Sequence, residues 1–208
     1  MAALFRAAGL HSLAGLRILD VGCGRGASLR QFLEYGADPG LLWGVDLMEE
    51  SVRESRRLGP HLKVICGSAG ELPFPDASFH MVCQSMVFTS VLEDRLRGRI
   101  AAEIHRVLAG GGKFLWYDFA YDNPWNPEAR GITRDEIAHL FPGFARQIRR
   151  ITVAPPLARL LGRLGPLVYD LAAQMRLLCT HDLCLMEKPG GRAAAKLPPP
   201  AQGTIRAY

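Results

Sequence analysis

No stretch of this chain stays apolar long enough to span a bilayer. The most apolar segment, residues 155–179, is interrupted by Arg159, Arg163, Asp170 and Arg176, whereas a spanning helix needs about 20 nearly uncharged residues. The first residues lack the basic start, apolar centre and small-residue cleavage site of a signal peptide. Cysteine is sparse: Cys23, Cys66, Cys83, Cys179 and Cys184 form no C-x-x-C pair and are odd in number. That argues against a disulfide framework and against zinc, and it fits reduced thiols in a cytoplasmic protein with no metal. Dense basic blocks are missing as well. The formal charge of +5 comes from scattered, mostly arginine residues, a usage that a GC-rich genome also produces. It permits an anionic substrate without demanding one. There is no internal repeat.

What is present suffices for one domain. At 208 residues with 49% apolar content, the chain can bury a full core. Residues 1–15 read as a lead-in helix with Leu4, Phe5, Ala8 and Leu13 on one side. Strands are expected at 17–21, 42–46, 63–66, 79–83 and 113–117, with helices at 27–35, 49–58 and 94–108 between them. The triple glycine 110–112 ends the last of these helices. Alternation at this rhythm implies a mostly parallel, doubly wound sheet.

Beyond residue 118 the pattern changes. A polar, proline-rich loop covers 122–127, and Thr133 with Glu136 predicts a capping box opening a helix that ends near Phe141-Pro142-Gly143. Strand six is expected at 146–153 and strand seven at 181–188. Between them, Leu157, Leu160, Leu161 and Leu164 share one helical face, and Leu167, Leu171, Met175 and Leu178 another. Residues 1–188 therefore read as one domain with a helical cover at 155–179. Residues 189–208, rich in Gly, Ala and Pro, read as a disordered tail.

The most informative segment is Ile18-Leu19-Asp20-Val21-Gly22-Cys23-Gly24-Arg25-Gly26, followed by Gly44-Val45-Asp46-Leu47. An apolar strand, a glycine-dense turn, a helix and a second strand tipped by an acid describe a βαβ nucleotide site. A dinucleotide fingerprint spaces its glycines as G-x-G-x-x-G. Here the third glycine comes one residue early, as G-x-G-x-G.

That shorter turn behind an aspartate resembles the glycine-rich motif of the class I S-adenosylmethionine (SAM) methyltransferases, in particular the type 11-like small-molecule enzymes. Three further segments agree in order. Cys66 to Phe74 looks like the family's G-D-A-E-x-L-P-F, Phe79-His80-Met81-Val82 like its F-D-x-V, and Glu103 to Gly112 like its E-x-x-R-V-L-x-P-G-G. The resemblance covers about residues 16–118. It implies a Rossmann-like, doubly wound α/β fold with a seven-stranded sheet, strands 1–6 parallel and strand 7 antiparallel, with the helical insertion between strands 6 and 7.

The same resemblance implies the roles of individual residues. Asp20 and the turn Gly22, Cys23, Gly24 and Gly26 would face the methionine end of SAM. Asp46 would accept the ribose hydroxyls, with Leu47 on the adenine plane, Ser68 and Ala69 at the adenine edge, and Gln84 near the aminoacyl group. Two positions depart from the pattern: Ser68 replaces the usual aspartate, and His80 stands where F-D-x-V has its acid, a position that points to a structural role. Family members also carry several dozen residues before strand one, against about sixteen here, which leaves an open site or a shortened front as alternatives.

Methyl transfer from a sulfonium needs alignment more than activation, and alignment is worth roughly 7–11 kcal/mol; a hydroxyl acceptor also gains from a general base. Ligands bind at the carboxyl ends of parallel strands. The candidate catalytic residues are therefore Asp118, at the end of strand five, and His181, at the start of strand seven. Tyr117, Asn123, Trp125 and Asn126 are the candidate acceptor contacts. Asp118 as a loop cap and His181 as a packed strand-end residue remain open alternatives. The 155–179 segment is open between core cover, a lid over the acceptor, and a dimer or peripheral membrane contact. The expected function is O-methylation of a sugar or secondary metabolite. A nucleic-acid methyltransferase and a non-catalytic subunit of the same fold are the alternatives. Nucleic acid is disfavoured because Cys83-Gln84-Ser85-Met86 replaces the Asn/Asp-Pro-Pro-aromatic segment of base-amino methylators.

Overall fold

The computed structural model describes residues 11–122, 126–154, 157–158, 175 and 178–190. Seven strands form one sheet in the order β3-β2-β1-β4-β5-β7-β6. They are β1 (Ile18–Val21), β2 (Leu42–Asp46), β3 (Lys63–Cys66), β4 (Phe79–Ser85), β5 (Leu108–Phe119), β6 (Ala145–Val153) and β7 (Cys179–Glu187). β1 to β5 pair in parallel, and β7 runs antiparallel to both β5 and β6. β6 therefore shares the direction of the first five, as expected. The helices are α1 (Ala27–Glu34), α2 (Glu49–Leu58), α3 (Val87–Ser90), α4 (Asp94–Val107) and α5 (Arg134–Leu140).

Both sheet faces are covered, which is why β1 is buried at all four positions rather than alternating. On one face α1 and α2 bury Leu29, Phe32 and Val52 against Ile18, Leu42, Val64, Met81 and Leu115. The other face holds Leu19, Val21, Val82, Phe114 and Trp116 under Ile100, Ile104 and Val107 of α4 and Ile137 of α5. Helix α4 buries positions 97, 100, 101, 104 and 107, the three-and-four spacing that puts one stripe on the sheet. Thr133 and Glu136 make both bonds of the capping box at α5. The E-x-x-R pair is a clamp. Arg106 forks onto Glu103 and also donates to the carbonyls of Leu72 and Phe74, while Glu103 accepts from Leu72 N. Two of the resembling segments are thus halves of one contact.

Several boundaries differ from the sequence reading. Residues 11–15 form a bend and turn rather than the end of a lead-in helix; residues 1–10 lie outside the described residues. The triple glycine does not end α4. It belongs to β5, where Gly111 N donates to Lys188 O and Lys188 N to Gly112 O, so pairing with the end of β7 extends the strand backwards. The β4–β5 register shifts there. α3 was not anticipated. Strand seven begins two residues earlier, which places His181 inside it. The 155–179 cover and the 189–208 tail fall almost wholly outside the described residues. Among the described residues no helix is long and apolar enough to cross a membrane.

Candidate functional site

The β1–α1 turn is fastened to β2. Gly22 N and Cys23 N both donate to Val45 O, and Gly26 N donates to Cys23 O. All three turn glycines have φ between 52° and 72°, a region that costs an L-residue about 1–2 kcal/mol. At Gly22 an added Cβ would come within 2.3 Å of Val87 Cγ2, and at Gly26 within 2.3 Å of Ser55 Oγ; at Gly24 it would meet nothing within 4 Å. The outer two glycines are required by packing, and the middle one faces open space. Asp46 braces this arrangement: Oδ2 accepts from Gly24 N at 2.7 Å and Oδ1 from Met48 N at 2.9 Å. Each oxygen keeps a second lone pair for a hydroxyl.

Asp20 lies beneath the turn at 1% exposure, and neither carboxylate oxygen has a hydrogen-bond partner. Burial, and then the nearby Asp46 carboxylate, push its pKa up to about 7. A buried acid with no partner is costly and is accounted for if a cationic ligand group completes it. These features fit SAM on the chain's own terms. Asp20 matches an ammonium, the open side of Gly24 allows close approach, and Asp46 offers acceptors. Leu47, 72% exposed, presents an apolar surface beside Asp46. Ser68 is exposed and accepts from Gly70 N through its hydroxyl, and Ala69 packs at the edge of the core.

On the opposite face, Gln84 is the sixth residue of β4 rather than a residue after it. Its Oε1 accepts from Val87 N; its Nε2 makes no well-formed hydrogen bond but is close enough to Asp118 to help hold that pKa down. Met86 adopts a left-handed conformation (φ 65°) and opens α3. Asp118 is buried and caps that helix, accepting from Phe88 N, Thr89 N and Thr89 Oγ1. Burial outweighs these bonds and leaves its pKa raised to about 6.

His181 stands on the other side of the sheet. It is the cross-strand partner of Phe119, whereas Asp118 pairs with Asp182, and successive strand residues point to opposite faces. The two candidate catalytic residues are therefore not brought together. His181 is joined instead by Tyr117, whose ring is parallel to it within 3° at 4.8 Å, and by Phe119 at 4.0 Å. Thr180 Oγ1 sits 3.0 Å from His181 Nδ1 and 3.4 Å from Thr152 O. The tautomer of His181 decides which of Thr180 and His181 donates in the shorter contact. Thr152 has φ 65°, an outlier for a β-branched residue, and its Oγ1 is 2.9 Å from Tyr117 OH. Burial lowers the His181 pKa.

Asn123 and Trp125 lie outside the described residues. Asn126 is exposed, and its side chain accepts from Glu128 N. His80 Nδ1 accepts from Arg17 N, a structural role as expected. The sequence reading missed Asp182, which is 1% exposed and held by forks from Arg134 and Arg150. Burial alone would raise its pKa, but those bonds keep it below the ordinary value. The available signals were an acid inside an apolar strand and arginines in β6. Among the described residues no cluster of His, Cys, Asp or Glu could hold a metal ion.

Comparison with known proteins agrees with this geometry. Residues 19–116 match a family model described as a methyltransferase domain. The 24-methylenesterol C-methyltransferase 2 of Oryza sativa subsp. japonica is 29% identical over 160 residues, 70% of this chain and 41% of that protein. A tRNA N(3)-cytidine methyltransferase of Gallus gallus is 31% identical over 121 residues, 53% of this chain and 32% of that protein. The chain spans less than half the length of either. A solved S-adenosylmethionine dependent methyltransferase from Mesorhizobium loti shares the fold, with a TM-score of 0.66 at 20% identity over 89% of this chain and 96% of that one.

Proposed function

The chain belongs to the class I SAM-dependent methyltransferase family, and on that premise we propose that it methylates a small-molecule acceptor, at a hydroxyl of a sugar or secondary metabolite. The observation that carries the cofactor half of this reading is Asp20, buried with both oxygens unpartnered beneath a glycine turn. When bound, SAM supplies an electrophilic methyl group whose bond to sulfur breaks as the acceptor oxygen bonds to the methyl carbon. The chain's own residues then bind, orient and take up a proton. Asp20 would pair with the ammonium, Asp46 would accept from the ribose hydroxyls, and Leu47, Ser68 and Ala69 would lie at the adenine. Cys23 and the three turn glycines would complete the cradle, with Gln84 a proposed contact whose Oε1 is held by Val87 N.

For the acceptor, the Tyr117–His181 side supports the reading better than the Asp118 side. The row Ser85–Tyr117–Leu183 is the last in which β4, β5 and β7 align. His181 lies two residues further, about 7 Å past the end of β4, at the carboxyl edge where ligands bind. Burial holds its pKa below the ordinary histidine value, which favours the neutral ring. In the tautomer with Nε2 unprotonated it would accept the hydroxyl proton, while Tyr117 gives a flat wall. Asp118 already has its oxygens committed to α3, which supports the cap role for it. Asn126, and Asn123 and Trp125 in the same loop, remain proposed acceptor contacts.

Calorimetric titration with SAM is the first test, and absence of binding refutes the cofactor assignment. Transfer of isotopically labelled methyl to a panel of sugars, phenolic metabolites, sterols, quinols and tRNA tests the acceptor. Incorporation into tRNA alone would overturn the small-molecule reading in favour of the activity that the Gallus gallus relative's name describes.

A further inference from the structure

We propose that Asp20 is a proton-coupled latch: in the free protein its carboxyl group holds a proton, and capture of a ligand ammonium expels it, so that cofactor binding releases one proton to solvent and weakens on acidification. This rests on the SAM reading above and adds a property that a cofactor site need not have.

The argument begins from what surrounds the carboxyl group. It is 1% exposed, so water does not stabilise its charge, and neither oxygen accepts a hydrogen bond. An ionised carboxylate so placed would be a buried, unpaired anion. The titratable groups facing it do not help. From the tip of β2 comes Asp46, a second acid. From the turn comes Cys23 and from β4 Cys83, both thiols pushed well up by burial and therefore uncharged. No ion pair with Asp20 exists among the described residues. Burial first and Asp46 second raise its pKa to about 7, which leaves the protonated form substantially occupied at neutral pH.

An ammonium group brought against Asp20 changes the balance. It supplies the counter-charge that the fold omits, and a charge-assisted pair in a water-poor site favours ionisation. The carboxylic acid and the ammonium ligand become a carboxylate–ammonium pair plus one free proton, so charge is conserved. The partly neutral free site also avoids holding two carboxylates side by side before the ligand arrives.

The test is calorimetry of the full chain with S-adenosylhomocysteine, which carries the same ammonium and has no methyl to lose. Titrations in two buffers of different ionisation enthalpy count the protons released. We expect about 0.9 proton at pH 6 and about 0.5 at pH 7, with affinity falling about fivefold from pH 7 to pH 6. In Asp20→Asn both the release and the pH dependence over that range should vanish, and because the ligand amine is the same in both proteins its own titration cancels. Should that variant bind too weakly to measure, carboxyl-carbon NMR of the wild type gives a second readout. One aspartate should titrate near pH 7 in the free protein and be ionised at pH 6 once ligand is bound. Binding heat without proton release at pH 6 would overturn the latch and leave the cofactor reading standing. No binding heat at any pH would overturn both.

Discussion

Alanine substitutions at Gly22 and Gly24, two residues apart in one turn, should separate folding from binding. Both glycines have positive φ, 69° and 52°, so each alanine costs about 1–2 kcal/mol in backbone strain. At Gly22 the new methyl also drives to 2.3 Å from Val87 Cγ2, at the start of α3, whose backbone is held by Asp118. Overpacking of that kind adds about 1–3 kcal/mol. Gly22→Ala should therefore lower the unfolding free energy by about 2–5 kcal/mol. At Gly24 no atom lies within 4 Å of the new methyl, so the loss should stay at about 1–2 kcal/mol. The methyl would instead occupy the face on which a ligand must approach, weakening SAM binding by about 1–3 kcal/mol, roughly 5- to 150-fold. Urea unfolding and calorimetric titration read the two quantities separately. An equal loss of stability in both variants, or unchanged SAM affinity in Gly24→Ala, would refute the reasoning.

Removing the acid from the Asp182 cluster, as Asp182→Asn, should cost about 2–3 kcal/mol in urea unfolding, since Arg150 is nearly buried while Arg134 is half exposed. Because its folded pKa is depressed, that contribution is present above the ordinary aspartate range and is lost as pH falls through the folded value. Asp118 has the opposite sign. Its folded pKa of about 6 stands above the ordinary aspartate value of 3.8, so its contribution to stability is full below about pH 4 and lost as pH rises to 6. The wild-type minus Asp118→Asn difference should shift by up to about 3 kcal/mol across that window; a flat difference would contradict the burial of an ionisable acid there. Thr133→Ala should cost about 1 kcal/mol, measured the same way. A base role for His181 requires Nε2 unprotonated and a pKa below the ordinary histidine value, so nitrogen NMR should find the Nδ1–H form, and a dominant Nε2–H signal would remove it as a base.

Legibility along the chain follows the range of the interactions involved. The G-x-G-x-G turn, Asp46, the capping box at Thr133 and the strands through β4 are set by local patterns: a left-handed turn, a cap, a run of buried residues. They were readable because each rests on contacts within a few residues or on a resemblance confined to them. The start of β5 was misread because Gly110, Gly111 and Gly112 look like a helix stop, while Lys188, far along the chain, pairs with Gly111 and Gly112 and makes them strand. His181 was placed on the rim for a similar reason. The pairing of Cys179 with Val153 extends β7 past the point where apolar alternation alone would start it. α3 and the left-handed Met86 left no sequence signal.

The sequence by itself determined the fold class, the glycine turn and the acid at the next strand tip, because glycine spacing and a strand-end acid are dictated by backbone sterics and short-range hydrogen bonding. Only the tertiary structure decided which candidate acids and bases share a face. Asp118 and His181 both follow from strand ends, yet the pleat and the antiparallel register of β5 and β7 turn one toward α3 and the other toward Tyr117. Tertiary packing likewise decided that Asp20 is buried without a partner, since the charge state of a carboxyl group depends on what surrounds it in three dimensions.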